Sequence, residues 1–362
     1  MKIAPIAAEL ARSPDRFAAT IVHTGQHYDD RLSRVFFDEL GIPEPHVNLN
    51  AGSGSHAQQT AAIISAFEPV VLADRPDLVA VVGDVNSTIA CALVAVKLWI
   101  PVAHVEAGLR SFDRTMPEEI NRVLTDRISD LLFTTEESAN ENLLKEGIAP
   151  ERICFAGNVM IDTLVAHRER ARALDIAGRF GLEPGGYGVL TLHRPSNVDD
   201  AAVFERILAA LATIADEVPI LFPVHPRTRP RIAQSPSVAR LLDTGRLRLL
   251  EPLGYLEFLG LMDASGVVLT DSGGIQEETT ILGVPCLTLR ETTERPVTIT
   301  HGTNQVVGTD PARIVEGWRR LRKRNQAPGP PPLWDGKAAV RVVEEIGRFA
   351  SGASTLTPSI LS

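Results

Sequence analysis

The stretch TDSGGIQEE, residues 270–278, sets two adjacent glycines after an apolar run and two adjacent carboxylates about one helical turn later. Gly273 and Gly274 let the backbone approach a ligand closely. A helix starting near Ile275 would aim its free N–H groups and positive dipole end at that ligand, forming an anion site suited to a diphosphate. Ser272 adds a hydroxyl donor, and Glu278 stands where a carboxylate can accept both hydroxyls of a ribose. The plainer reading of the same residues is a capped helix with an acidic first turn. Arg295 offers a planar fork of donors across from the phosphates, although alone it is an ordinary surface cation.

Carboxylates supply a second chemistry. Asp84 lies in GDVNST, Glu106 in HVEAGLRS and Glu118 in MPEEINR. Asp84 can simply cap the helix that follows. Glu118 and Glu119, behind Pro117 at a first helical position, can simply complement the helix dipole. Glu106 is harder to set aside, because it follows a buried strand directly and precedes Ala107–Gly108. Three acids facing a nucleotide suit proton abstraction from carbon, which needs a base on one face and an acid on the other. Such a trio can also hold a metal, but no DxD-like or His-rich spacing accompanies it, so a metal ranks lower. Polar groups recur at the ends of other apolar runs: His193 and Arg194 in HRPSN, His225 and Arg227 in HPRT, and Arg290, Glu294 and Arg295 in RETTERP. One such run is easily accidental; six are not.

These residues need a scaffold that lines up strand ends. Candidate strands fall at 19–23, 78–83, 101–105, 130–134 and 152–156, then at 187–192, 219–224, 247–250, 266–270 and 285–289. Helix-length stretches lie between them, at 56–73, 86–98, 117–129, 201–216 and 275–282. Alternating strands and helices predict parallel sheets with helices on both faces, in two doubly wound α/β domains. Ligands of such sheets sit beyond the carboxyl ends of the strands. The natural break is 165–185, and 326–333 (QAPGPPPL) reads as an extended linker, with a helix over 337–350 after it. A net charge of −9 argues against nucleic acid as a partner. The sequence has no membrane-spanning apolar run. Cys91, Cys154 and Cys286 are isolated, which gives neither a disulfide framework nor zinc spacing and points to a reduced, cytoplasmic protein.

The motifs taken together resemble the non-hydrolysing UDP-N-acetylglucosamine 2-epimerases of bacteria. TGQHYD (24–29), GDVNST (83–88), PVAHVEAGLRS (101–111), MPEEINRVLTD (116–126), GNVMID (157–162), LHRPSN (192–197), HPRT (225–228), TDSGGIQEE (270–278), RETTERPVT (290–298) and GTNQVVG (302–308) occur in order over nearly the whole chain. The resemblance implies two Rossmann-like domains of the GT-B type with the active site between them: 1–165, to which the C-terminal helix 337–362 crosses back, and a UDP-binding domain at 170–330. It implies a homodimer, no metal and no nicotinamide cofactor. It implies reversible inversion at C2 of UDP-GlcNAc, giving UDP-ManNAc through a 2-acetamidoglucal intermediate. On matching positions, Asp84, Glu106 and Glu118 are the expected acid/base groups and His193 contributes on the diphosphate side. Lys2, Arg194, Phe258, Ser272, Gly273, Gly274, Glu278 and Arg295 are the expected substrate contacts.

Two features qualify the resemblance. The family opens on a strand and an arginine-bearing turn, whereas MKIAPIAAELARS reads as the helix after them. The first strand of the N-terminal domain is therefore expected to be missing here, and turnover to be weak until it is restored. Some relatives bind a second UDP-GlcNAc as an activator. Gln26, His27 and Gln59 resemble that neighbourhood loosely, and ordinary helix and loop polar residues account for them equally well. Three other functions stay open: a 2-epimerase of UDP-2,3-diacetamido-glucuronic acid, a GT-B glycosyltransferase, and a catalytically silent UDP-sugar binder.

Overall fold

The computed structural model describes residues 1–25, 37–224, 228–321 and 329–352. It divides into two compact units, Met1–Thr163 with Pro332–Ser362, and Leu164–Pro331.

The first unit begins with α1 (Ile3–Ala11), β1 (Val22–His23) and β2 (Val47–Asn48). There follow α2 (His56–Ala73), β3 (Val79–Val82), α3 (Asn86–Lys97), β4 (Val102–Ala107), α4 (Pro117–Ile128), β5 (Leu131–Thr134), α5 (Glu137–Lys145) and β6 (Ile153–Phe155). All strand pairs are parallel, in the sets β1–β2 and β3–β4–β5–β6. Local signals fix the helices. Ser55 and Gln58 close a capping box at the start of α2. Pro117 opens α4 with Glu118 and Glu119 in its first turn and Arg127 in its last, each sign matching the dipole. Every residue of β4 is buried, His104 and Glu106 included, because β4 is an inner strand with neighbours on both sides. One apolar cluster, including Ala103, Val105, Leu131 and Phe133, packs under α1 and the C-terminal helix Ala338–Ala350. A second, including Ile63, Val81, Ala92 and Val102, lies under α2 and α3.

The second unit contains α6 (Val159–Ala173, entered from the first), β7 (Gly188–Thr191), α7 (Ala201–Ala215), β8 (Ile220–Pro223), β9 (Leu247–Leu250), α8 (Tyr255–Asp263), β10 (Val267–Thr270), α9 (Gly273–Leu282), β11 (Cys286–Thr288) and β12 (Asn304–Val306). Its six parallel strands run β12–β11–β10–β7–β8–β9. The order reverses between β7 and β10, the doubly wound arrangement whose switch point takes ligands. One apolar core runs from Leu190 and Phe204 through Leu269 and Leu287 to Trp318.

The α/β fold with two Rossmann-like units is the one implied by the sequence; several boundaries differ. Within the expected break at 165–185, α6 extends to Ala173 and a short helix follows at Ile176–Arg179. α9 starts at Gly273 rather than near Ile275, so both glycines belong to its first turn. β4 reaches Ala107, which puts Glu106 inside the strand rather than past its end. β2 and β12 were not foreseen; at two and three residues they carry too little pattern to read. Of the linker expected at 326–333, residues 326–328 lie outside the described residues, as do Gln26, His27, His225 and Arg227. Among the described residues, no helix is long and apolar enough to cross a membrane.

Candidate active site

In the first unit, Asp84 follows β3, Glu106 lies near the end of β4 and Glu118 stands in the first turn of α4. The register of β4 against β5 shifts between Val105 and Ala107, and Glu106, the residue at the shift, has φ +74°. A non-glycine side chain held in that region costs of order 1–3 kcal/mol, a strain that concentrates at functional positions. Glu106 is 4% exposed and forms an ion pair with Lys2 of α1. Asp84 follows the β3 turn, where Gly83 takes φ +76°. Arg122 of α4 grips the Asp84 carboxylate through Nη2 at 2.5 Å and Nε at 3.2 Å. Asn121 donates to the Asp84 carbonyl at 2.9 Å. A cavity of about 430 Å³ opens beside Asn121, with His56, Asn86 and Pro117 among its lining.

The paired acids of α4 separate cleanly. Glu119, 4% exposed, accepts from Ser111 N (2.9 Å), Ser111 Oγ (3.0 Å), Phe112 N (2.9 Å) and Arg122 Nη1 (2.6 Å). It fastens the loop after β4 to the helix. Glu118 is half-buried and has no hydrogen-bond or ion-pair partner among the described residues.

In the second unit, the switch point holds the other group. The carboxylate of Asp271, after β10, accepts from the backbone N–H of Arg194 at 3.0 Å and of His193 at 3.1 Å, and from Asn197 Nδ2 at 3.1 Å. His193 Nδ1 lies 2.7 Å from Asp271 Oδ1, while the side chain as a whole stays 62% exposed. Burial pushes the Asp271 carboxyl up, but the hydrogen bond and charge of His193 and the two backbone donors outweigh it, so the net shift is downward. Arg194 Nε donates to the Asp271 carbonyl at 3.1 Å.

The first turn of α9 has its N–H groups at hand for a ligand. Ser272 is the N-cap, yet its hydroxyl caps nothing. A Cβ added at Gly273 would sit 2.6 Å from Arg295 Nη1 and 2.7 Å from Glu294 Oε1, so a side chain there would have to push aside the guanidinium or carboxylate packed across the helix start. Arg295, 5% exposed, pairs with Glu277 at 2.7 Å and with Glu294. Glu278, 3% exposed, accepts from Tyr255 Oη at 3.1 Å through Oε1. Burial pushes its carboxyl up to about 7, with Glu277 adding to the rise. Phe258 lies half-buried on α8.

Arg122 and Asp271 were not singled out in the sequence, and Glu277 was noted there only as one of two adjacent carboxylates. Arg122 follows Glu118 by four positions on one helix, a spacing that places both on one face and was available as a signal. Asp271 and Glu277 lie within the glycine-bearing motif itself, but nothing in their spacing told a ligand contact from a brace. Gln59 is 9% exposed and spends its amide on the Gly52 carbonyl (3.0 Å) and on Asn86 (2.7 Å).

Two Rossmann-like units of this build define a GT-B-class α/β enzyme. The family model for UDP-N-acetylglucosamine 2-epimerase matches residues 8–347. The chain is 42% identical over 350 residues to a UDP-N-acetylglucosamine 2-epimerase of Methanocaldococcus jannaschii, covering 95% of this chain and 94% of that one. It is also 42% identical over 335 residues to a UDP-2,3-diacetamido-2,3-dideoxy-D-glucuronate 2-epimerase of Pseudomonas aeruginosa, covering 91% of each. The crystal structure of a Methanocaldococcus jannaschii UDP-GlcNAc 2-epimerase in complex with UDP-GlcNAc and UDP superposes with a TM-score of 0.86, at 42% identity and 95% coverage of both chains. The chain belongs to the UDP-N-acetylglucosamine 2-epimerase family.

Proposed function

We propose that the chain inverts C2 of UDP-GlcNAc reversibly, giving UDP-ManNAc by elimination and re-addition of UDP. A carboxylate takes the C2 proton, its electron pair forms the C1–C2 double bond, and the C1–O bond breaks toward the diphosphate. Protonation of the resulting 2-acetamidoglucal on its other face, with UDP returning to C1, completes the inversion. Asp84, Glu106 and Glu118 carry the proton transfers. His193, Arg295 and the first N–H groups of α9 meet the charge that develops on the leaving diphosphate. Ser272, Gly273 and Gly274 bind that diphosphate, Glu278 the ribose, and Phe258 packs near the uracil; Lys2 and Arg194 add cations. The observation that carries the reading is Glu106, a buried acid held at positive φ in a strand bulge against Lys2.

A C2-epimerised UDP-sugar formed from UDP-GlcNAc with no acceptor present, seen as a ManNAc anomeric proton signal, supports this reading. Transfer only when an acceptor is added supports a glycosyltransferase instead. The equal identity to the Pseudomonas relative favours one second reading, a substrate with a C6 carboxylate. Side-by-side turnover of the two UDP-sugars decides between them. The family reading also brings a homodimer, a cytoplasmic setting and a second UDP-GlcNAc as activator. Light scattering checks the first, and a sigmoidal rather than hyperbolic dependence of initial rate on UDP-GlcNAc concentration checks the last.

Gly273→Ala tests the diphosphate site. Its methyl group must displace the Arg295 guanidinium. Losing a hydrogen bond to a charged group costs about 1.5–3 kcal/mol, so calorimetry is expected to find UDP affinity lower by roughly 10- to 150-fold.

A further inference from the structure

The first unit holds an ionic cluster, buried at His104, Arg110 and Asp126 and open to solvent at Glu146, that the proposed chemistry does not use. His104, in the middle of β4, is fully buried. Its Nδ1 lies 2.6 Å from Asp126 Oδ1 and its Nε2 lies 2.8 Å from the Gly83 carbonyl oxygen. Both partners are acceptors, so both ring nitrogens must carry hydrogen; a neutral ring would set a lone pair against an oxygen in a dry site. Asp126 Oδ2 accepts from Gly108 N at 3.1 Å and pairs with Arg110 Nη1 at 2.7 Å. Arg110 is in turn bidentate to Glu146, at 2.7 Å for each contact. Two cations and two carboxylates thus balance. Burial would push the Asp126 carboxyl up, but His104 and Arg110 overcome it and hold it down.

The cluster touches both neighbourhoods where the acids stand. Gly83 directly precedes Asp84, and its N–H donates to the Val105 carbonyl at 3.0 Å. His104 and Gly108, both fixed by Asp126, flank Glu106 two residues to either side. An apolar residue at position 104 would fill an inner strand without the desolvation that a buried ion pair entails. We propose that His104, held as an imidazolium by Asp126, is a positioning residue that locks the Gly83–Asp84 turn against the Glu106 bulge. This rests on the reading of Asp84 and Glu106 as the proton-transferring acids.

Two isosteric substitutions separate positioning from mere packing. His104→Gln places an amide N–H where Nε2 was and keeps the bond to Gly83. His104→Asn places one where Nδ1 was and keeps only the bond to Asp126. A misplacement of about 1 Å costs roughly 10²-fold in rate. The expected result is therefore a kcat loss of about that size in His104→Asn, with KM near the unaltered value, and near-normal kcat in His104→Gln. Turnover that follows the unfolding midpoints of the two variants, or a His104→Asn enzyme as fast as the unaltered one, overturns the proposal. A second readout needs no activity: nitrogen-15 spectra of histidine-labelled protein should show two ring N–H signals for His104, absent in His104→Asn. A single ring N–H signal contradicts the imidazolium. Absence of epimerisation by the unaltered chain counts against the proposed function alone, and the spectra then decide the positioning cluster.

Discussion

Glu118→Gln should lower kcat by roughly 10²–10⁴-fold, the usual worth of a positioned general acid or base, and leave the unfolding midpoint where it was. The separation of the two effects follows from the surroundings. Glu118 holds nothing among the described residues, so the amide removes a proton-transfer group without breaking a brace. Its neighbour is the opposite case. Glu119 accepts four hydrogen bonds that tie Ser111, Phe112 and Arg122 together, and Arg122 also holds Asp84. Glu119→Gln turns acceptor capacity into donors beside existing donors and should cost about 1.5–3 kcal/mol of stability. Rate constants and thermal melts on the pair check this. Equal loss of activity in both, with equal loss of stability, would place Glu118 in the scaffold.

Glu278→Gln should weaken UDP binding while stabilising the unliganded protein. A carboxylate that accepts two ribose hydroxyls is worth about 1.5–3 kcal/mol per bond, so the loss in affinity is expected near 10²-fold or beyond. The gain in stability comes from the same burial. Folding lifts the Glu278 carboxyl from 4.5 to about 7, so the folded state binds the proton more tightly than the unfolded state. Its contribution is then most favourable below the unfolded value and is lost as pH rises through the folded one. A shift of that size bounds the penalty at about 3 kcal/mol above the window. The variant has no proton to lose, so its advantage over the unaltered chain should grow between pH 4.5 and about 7 and then level off. Paired unfolding curves across that range, with UDP calorimetry, check both halves. A stability difference that does not change with pH would contradict the burial argument.

The elements that position the site were largely legible because their patterns are long. His56–Ala73 carries eighteen residues of helical period behind a capping box, and the strands of the second unit are apolar runs bounded by turns. The edges were less so. Glu106 read as lying beyond its strand because a polar residue usually marks an end; the bulge that keeps it inside is a register effect that no single strand reveals. Gly273 read as a close-approach residue ahead of the helix; the guanidinium packed against it is brought in from position 295, which no local pattern shows. The residue types of the candidate site were visible, but their partners were not. Arg122 on Asp84, Glu277 on Arg295 and Asp271 beneath His193 are contacts across 38, 18 and 78 positions of sequence. That is why the bracing roles of Glu119 and Glu277 could not be read from the sequence.

Proton loss at C2 is the central claim, and it is tested most directly by proton NMR of UDP-GlcNAc with enzyme in D2O. The account predicts that the C2 proton signal of both UDP-GlcNAc and the epimer is replaced by deuterium as the two interconvert, with the slow Glu118→Gln variant exchanging slowly as well. An epimer that forms with its original hydrogen retained at C2, or UDP that binds while C2 exchanges nothing, would contradict it.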